Sequence, residues 1–267
     1  AFNNIKVFHI EGGEVSGTID ESIRHAITKF AHYHLVSNEK AKKRIIQLGE
    51  AEENIFVFGS PDIDVMLSGN LPSIETVKTY YDIPFQRYAV LMYHPVTTEV
   101  ELLPEHIKEV VDGIMKSNKN YVVIYPNNDN GTDIILNEMK RLEKNAHFRI
   151  LPSMRFEFFL SLLKNAEFII GNSSSGIREA GVYGIPAIDV GTRQSGRYLP
   201  EENKHILHVD EEANEICRAI EQAAGMTIEP SFEFGNGNST EVFRSIIADD
   251  TIWNRQVQKR FIDRMYD

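Results

Sequence analysis

Ile169-Ile170-Gly171-Asn172-Ser173-Ser174-Ser175-Gly176-Ile177-Arg178-Glu179 reads as a strand, a loop of small residues and the start of a helix. An apolar β-branched run ends at a glycine, and serine is among the residues that best cap a helix. Strand, loop and helix together form the repeating unit of parallel α/β folds. The loop also has the makings of an anion site, because exposed N–H groups, serine hydroxyls and a helix dipole suit a diphosphate. Glu179 lies further into the helix, where its carboxylate can accept hydrogen bonds from a ribose diol. No Gly-Lys-Ser/Thr follows, and the dinucleotide glycine pattern is absent. An ordinary serine-capped helix fits the same residues.

The same alternation continues outward in both directions. Short β-branched and aromatic runs at 6–10, 33–37, 55–59, 89–93, 121–125, 148–151, 168–171, 187–190 and 206–209 predict strands, with helical periodicity between them. In the first long helix Thr18 and Glu21 have capping-box spacing, and Ile23, Ala26, Ile27, Phe30 and Ala31 share a face. Asn38 caps a second helix that Gly49 ends, and Thr132, Ser153 and Ser174 stand where later helices begin. The stretch Ser68-Gly69-Asn70-Leu71-Pro72-Ser73 has the composition of a linker. The fold class expected is α/β, with two doubly wound Rossmann-like domains. The first is assigned to residues 1–71, with a closing helix at 251–267 packing back on it, and the second to 72–250. Gly235-Asn236-Gly237-Asn238 is a polar loop before two closing helices. Ligands in such folds bind beyond the carboxyl ends of the strands.

Composition narrows the function classes. The 267 residues are 42% hydrophobic and 25% charged, as in ordinary globular proteins. A formal net charge of -11 argues against a nucleic-acid or anionic-membrane partner. No apolar run is long enough to span a bilayer, and the first residues lack the order of a signal peptide, which favours the cytoplasm. The single Cys217 rules out an internal disulfide and reads as a small core residue. His32 and His34 alternate about Tyr33 with no third ligand in sight, so no metal is expected. Glu211, Glu212 and Glu215 read as a solvated helix face.

Several strand ends carry groups with chemistry. Glu11 ends a strand before Gly12-Gly13-Glu14, and paired glycines allow both a sharp turn and close approach of a substrate. Asp20 and Arg24 lie one turn apart at a helix start. Glu11 and Asp20 can thus form a carboxylate pair for proton transfer. From spacing alone, a turn-capping Glu11 and a surface Asp20–Arg24 pair are the commoner arrangement. His94, in Tyr93-His94-Pro95-Val96-Thr97-Thr98-Glu99, puts an imidazole at a strand end, where it meets a sugar or phosphate or is simply structural. Asn127, in Tyr125-Pro126-Asn127-Asn128-Asp129, suits either a nucleotide contact or an Asx turn. Gly191-Thr192-Arg193-Gln194-Ser195-Gly196-Arg197 adds a basic loop suited to phosphate.

Taken together, His9-Ile10-Glu11-Gly12-Gly13-Glu14, Asp20-Glu21-Ser22-Ile23-Arg24-His25, His94-Pro95-Val96-Thr97-Thr98-Glu99, Gly171-Asn172-Ser173-Ser174 and Gly191-Thr192-Arg193-Gln194 resemble hydrolysing UDP-N-acetylglucosamine 2-epimerases in order and spacing. The likeness is to the bacterial enzymes of sialic-acid capsule synthesis and the epimerase half of the animal bifunctional enzyme. It implies a GT-B-like pair of domains, and release of UDP and N-acetylmannosamine by elimination and then hydration. It implies no cofactor and no metal, and a homo-oligomer, dimer or tetramer. By the same resemblance Glu11, Asp20 and His94 are catalytic, and Arg24 lies at the substrate. Asn127, Ser153 and Met154 lie around the nucleotide, Ser173 and Ser174 at the diphosphate, Glu179 at the ribose and Arg193 on the nucleotide side. The family opens with a first strand and a Gly-Thr-Arg loop and later carries a His-Gly-Asp segment, and these do not precede Ala1. The expectation is therefore a first domain lacking its N-terminal part, with little activity alone. A hydrolase of a UDP-diacetamido-trideoxy sugar, a non-hydrolysing epimerase and a non-catalytic nucleotide-sugar binding module are the competing readings.

Overall fold

A computed structural model describes residues 3–16 and 19–263 of the chain. Thr18, half of the expected capping box, lies outside the described residues; its partner Glu21 instead accepts a hydrogen bond from the Ser16 N–H at 2.8 Å. The chain divides into two compact units, Ala1–Asn70 with Phe232–Asp267, and Leu71–Ser231.

The first unit is a parallel sheet of β1 (Phe8–Ile10), β2 (Tyr33–Val36) and β3 (Ile55–Val57), in that order. Helices α1 (Asp20–Phe30) and α2 (Glu39–Gln47) connect them, and α3 (Pro61–Leu67) follows β3. Asn38 caps α2 as expected, its side chain accepting from Ala41 N–H at 2.9 Å. The face of α1 is a correction. Ile23, Ile27 and Phe30 are exposed, and the buried residue is Thr28. The side that meets the rest of the unit makes polar contacts: Thr28 Oγ1 lies 3.1 Å from His9 Nδ1, Lys29 donates to Glu50 at 2.6 Å, and Arg24 donates to the Glu14 carbonyl at 3.2 Å.

The second unit holds α4 (Ile74–Tyr80), β4 (Ala89–Met92), α5 (Leu103–Lys116), β5 (Tyr121–Ile124), α6 (Thr132–Met139), β6 (Phe148–Leu151), α7 (Phe156–Lys164), β7 (Ile169–Gly171), α8 (Glu179–Tyr183), β8 (Ala187–Val190), β9 (Ile206–Val209) and α9 (Ala213–Ala223). Its six strands are parallel in the order β6-β5-β4-β7-β8-β9, a doubly wound sheet. Leu91, Tyr93, Val123, Ile170 and Ile188 join a core with Ile107, Ile114, Ile216 and Ile220 of α5 and α9. Val90, Val122 and Ile169, on alternate positions, are equally buried. Strands covered on both faces read as near-continuous apolar runs, which is why the sequence marks them.

Residues 232–250, expected in the second unit, belong to the first. Ser60 N–H donates to the Phe234 carbonyl, and Asp64 accepts from the N–H groups of Ser239 and Thr240, capping α10 (Ser239–Ile247). Ile246 and Ile252 join the core of Tyr33, Leu35 and Phe58. Among the described residues of the expected closing helix, only α11 (Asp250–Asn254) is helical. Beyond it, Ile262 N–H donates to the Gly49 carbonyl, and Lys259 donates to the Ala31 and Thr28 carbonyls. Lys259 also pairs with Glu50 at 2.6 Å. Burial alone would raise the Glu50 pKa, but hydrogen bonds from His34, Lys259 and Lys29 hold it down to about 2.

Candidate active site

At the carboxyl edge of the second sheet, loops following β4, β5, β6, β7 and β8 carry His94, Asn127, Ser153 with Met154, Ser173 with Ser174, and Arg193 respectively. Strand order reverses between β4 and β7, the place where open α/β sheets form a crevice. Gly171 is what lets the two strand ends meet there. Its φ is +130°, and a Cβ would lie 1.9 Å from the Met92 carbonyl oxygen. Ser173 precedes a 3-10 turn at Ser174–Gly176, its hydroxyl accepting from the Ser175 N–H at 3.3 Å. The cap is therefore Ser173 rather than the expected Ser174. Glu179 is buried as the first residue of α8.

Asn172 joins three of these loops. It is fully buried, accepting from His94 N–H at 2.7 Å and donating to the His94 carbonyl at 2.9 Å. Its own carbonyl accepts from Arg193 Nη1 at 3.1 Å and Gln194 Nε2 at 2.7 Å. The sequence marks Asn172 only as part of a loop; the available signal was an amide immediately after a strand-ending glycine.

The His94 ring has a defined role. Nδ1 meets Asn127 twice, its N–H donating at 3.1 Å and its Oδ1 lying 3.3 Å away, and the shorter backbone bond assigns the ring proton to Nε2. Burial, followed by the nearby Arg193 charge, lowers its pKa to about 4. His94 is thus a neutral imidazole that offers an N–H to a ligand; its only lone pair is already used. Asn127 also donates to Asp129, and Thr132 Oγ1 donates to the Asn127 carbonyl at 2.6 Å, so this loop is a turn that serves His94.

Glu211 corrects an expectation. Its side chain is 8% exposed, under Gly191, with Tyr93 Oη donating to it at 3.1 Å and His106 Nδ1 lying 3.5 Å away. It supports the Arg193 loop rather than facing solvent. Cys217 is half-buried. His32 and His34 have structural partners, Val7 N–H and Glu50.

In the first unit, Glu11 follows β1 with φ +58°, an unusual backbone for a side-chain-bearing residue. Its N–H donates to the Leu35 carbonyl at 2.8 Å, and its carboxylate accepts from Ser60 Oγ at 2.5 Å. Glu14 is buried and accepts from the Ser37 hydroxyl. Gly13 makes the turn between them, since a Cβ there would lie 2.3 Å from the Ala41 carbonyl oxygen. Asp20 opens α1 and is exposed, and Arg24 Nη1 is engaged by the Glu14 carbonyl. Neither serine was read from the sequence as part of the site. Among the described residues, no group of three or more His, Cys, Asp or Glu is arranged to hold a metal. Among them, too, no helix is long and apolar enough to cross a membrane.

The chain is 49% identical over 98% of its length to a UDP-N-acetylglucosamine 2-epimerase of Neisseria meningitidis serogroup B, of which it spans 70%. It is 33% identical to a hydrolyzing UDP-N,N'-diacetylbacillosamine 2-epimerase of Legionella pneumophila, over 89% of this chain and 63% of that protein. The crystal structure of Methanocaldococcus jannaschii UDP-GlcNAc 2-epimerase in complex with UDP-GlcNAc and UDP superposes with a TM-score of 0.76. That match has 24% identity and covers 92% of this chain and 70% of that one, which bears out the expected α/β, GT-B-like fold class. The family model for UDP-N-acetylglucosamine 2-epimerase matches residues 1–248. With that match and the 49% identity, the chain belongs to the UDP-N-acetylglucosamine 2-epimerase family.

Proposed function

We propose that this protein is a hydrolysing UDP-N-acetylglucosamine 2-epimerase, releasing UDP and N-acetylmannosamine for sialic-acid synthesis. The observation that carries the reading is the carboxyl edge of the second sheet, where Asn172 ties the Ser173–Ser174 loop to neutral His94 and cationic Arg193. Such an edge stabilises a departing diphosphate, where most of the developing charge falls. Ser173, Ser174 and Arg193 hold the diphosphate, Glu179 the ribose, and Asn127, Ser153 and Met154 surround the nucleotide. Glu11 and Asp20 exchange protons with the sugar, and Arg24 helps to position it.

The chemistry runs in two steps. A carboxylate takes the proton from carbon 2, and the bond from carbon 1 to the UDP oxygen breaks. The electron pair forms the double bond of a 2-acetamidoglucal. Water then adds its oxygen to carbon 1, and a proton returns to carbon 2 on the opposite face. Neither step changes oxidation state overall. The hydrolysing mode is supported by the 33% identity to a relative of that name. The same relative favours a UDP-diacetamido-trideoxy sugar as the second candidate substrate.

The test is incubation with UDP-N-acetylglucosamine in heavy water, followed by NMR. Free UDP and N-acetylmannosamine carrying deuterium at carbon 2 are expected. UDP-N-acetylmannosamine as the end product would reject the hydrolysing mode. Turnover of the diacetamido sugar alone would select the second substrate.

A further inference from the structure

We propose that Ser60 is a positioning residue for Glu11, fixing the carboxylate in the orientation that exchanges protons with substrate; this rests on the reading of Glu11 as catalytic. Ser60 is fully buried and stands at the N-cap of α3 with extended backbone, φ −102° and ψ 131°. Serine there ordinarily accepts from an N–H of the first helical turn. This one makes no capping bond. Its hydroxyl is turned toward Glu11 Oε1 and donates at 2.5 Å, the length of a bond to a charged acceptor.

Both ends of that bond are held by backbone. Ser60 N–H donates to the Phe234 carbonyl at 2.7 Å, and its carbonyl accepts from Ile63 N–H at 3.0 Å. Pro61 further restricts Ser60 to the extended conformation it has. Glu11 is tied through its own N–H to the Leu35 carbonyl. Since β2 lies between β1 and β3, the Ser60–Glu11 bond crosses the carboxyl end of the central strand. The neighbouring Glu14 is handled in the same way by Ser37, which follows β2. Each carboxylate of the Glu11–Glu14 loop therefore takes a hydroxyl from the end of another strand. A buried donor that forgoes its helix to meet a strand-end carboxylate does more than close a turn. It selects one carboxylate rotamer and favours the ionised form.

The experiment compares Ser60→Ala, Glu11→Gln and the double variant in the protein as encoded, with UDP-N-acetylglucosamine as substrate. Ser60→Ala is expected to lower kcat about tenfold with KM nearly unchanged, the scale of one lost hydrogen bond to a charged group. It also moves the acidic limb of the kcat profile to higher pH. In the Glu11→Gln background, measured in single turnovers, Ser60→Ala costs nothing further. Ser60→Cys has a similar volume but a weak donor, so it follows the alanine variant, whereas Ser60→Thr, which keeps the hydroxyl, recovers rate. Parent kcat and an unmoved acidic limb in Ser60→Ala, beside an impaired Glu11→Gln, overturn the role of Ser60 alone. An equal fractional loss in both backgrounds overturns it too, as a purely structural effect. Near-normal turnover in Glu11→Gln overturns the reading of Glu11 and the proposal with it.

Discussion

Replacing Asn172 with alanine separates the scaffold of the site from its contacts. The amide makes two side-chain hydrogen bonds, both to the backbone of His94, from a position with no exposed surface. Alanine removes both and leaves the His94 N–H and carbonyl without these partners. Each such loss costs about 1–2 kcal/mol here, so about 2–4 kcal/mol in all. For a unit of this size that is a fall in melting temperature of roughly 4–16 °C. Asn172→Asp keeps the acceptor for the His94 N–H but sets a carboxylate against the His94 carbonyl, and should be at least as damaging. Ser173→Ala is the control, since it loses a single 3.3 Å cap bond on a half-buried residue. It should weaken UDP binding while changing stability by less than about 1 kcal/mol. Denaturant melts and calorimetric titration with UDP read both quantities. If Asn172→Ala unfolds within about 0.5 kcal/mol of the parent, the hub reasoning is wrong, because surface substitutions already fall in that range.

With its proton on Nε2 and its pKa lowered to about 4, His94 should contribute to UDP affinity without a break between pH 5.5 and 8. A calorimetric inflection near pH 6.5 that His94→Gln abolishes would refute the lowered pKa. Burial, then the charges of His34 and Arg24, also lower the His9 pKa to about 4. An unfolded chain takes up these protons near pH 6.5 and the folded one only near 4, so stability is retained above 6.5 and lost as pH falls through that window. Melting temperature should therefore drop from pH 6.5 to 4, and less steeply in His9→Gln; parallel slopes would exclude His9 as a source. The protein is expected to self-associate, and a monomer by light scattering across micromolar concentrations would count against this.

The sheet was legible because its strands are covered on both faces. Val90, Leu91, Val122 and Val123 are all fully buried, so no polar alternation interrupts the runs. The strand-end residues were legible as well, since α/β topology dictates that loops after parallel strands share one edge. The orientation of α1 was not. Periodicity identifies an apolar face but not what will meet it, and here the contacts with the rest of the unit are the polar ones of Arg24, Thr28 and Lys29. β1 is shorter than the run at 6–10: the strand spans Phe8–Ile10, and at Val7 the N–H goes to His32 Nδ1 while the carbonyl still accepts from the N–H groups of His32 and Tyr33. The limit of the second unit was misplaced because a polar Gly-Asn loop reads as a boundary from either side. Tertiary contacts assign it: bonds from Ser60 and to Asp64, and the packing of Ile246 against Tyr33, Leu35 and Phe58.

The residues missed from sequence share one property: each declines the local role its type usually takes. An asparagine after a strand usually shapes a turn, a serine before Pro61 usually caps a helix, and a glutamate near a helix start usually faces water. Asn172, Ser60 and Glu211 instead bond to residues distant in the chain, namely His94, Glu11 and Tyr93. Such groups are costly to bury unless fully engaged, so their burial requires that the partner loop be held in one place. The partners are, respectively, a ligand-facing imidazole, a strand-end carboxylate, and a tyrosine of the strand-end loop that carries His94. A polar residue that abandons its local hydrogen bond for a distant one therefore marks where this fold must be rigid. That criterion, rather than exposure or charge, singles out Ser60 and Asn172 as the first positions to vary.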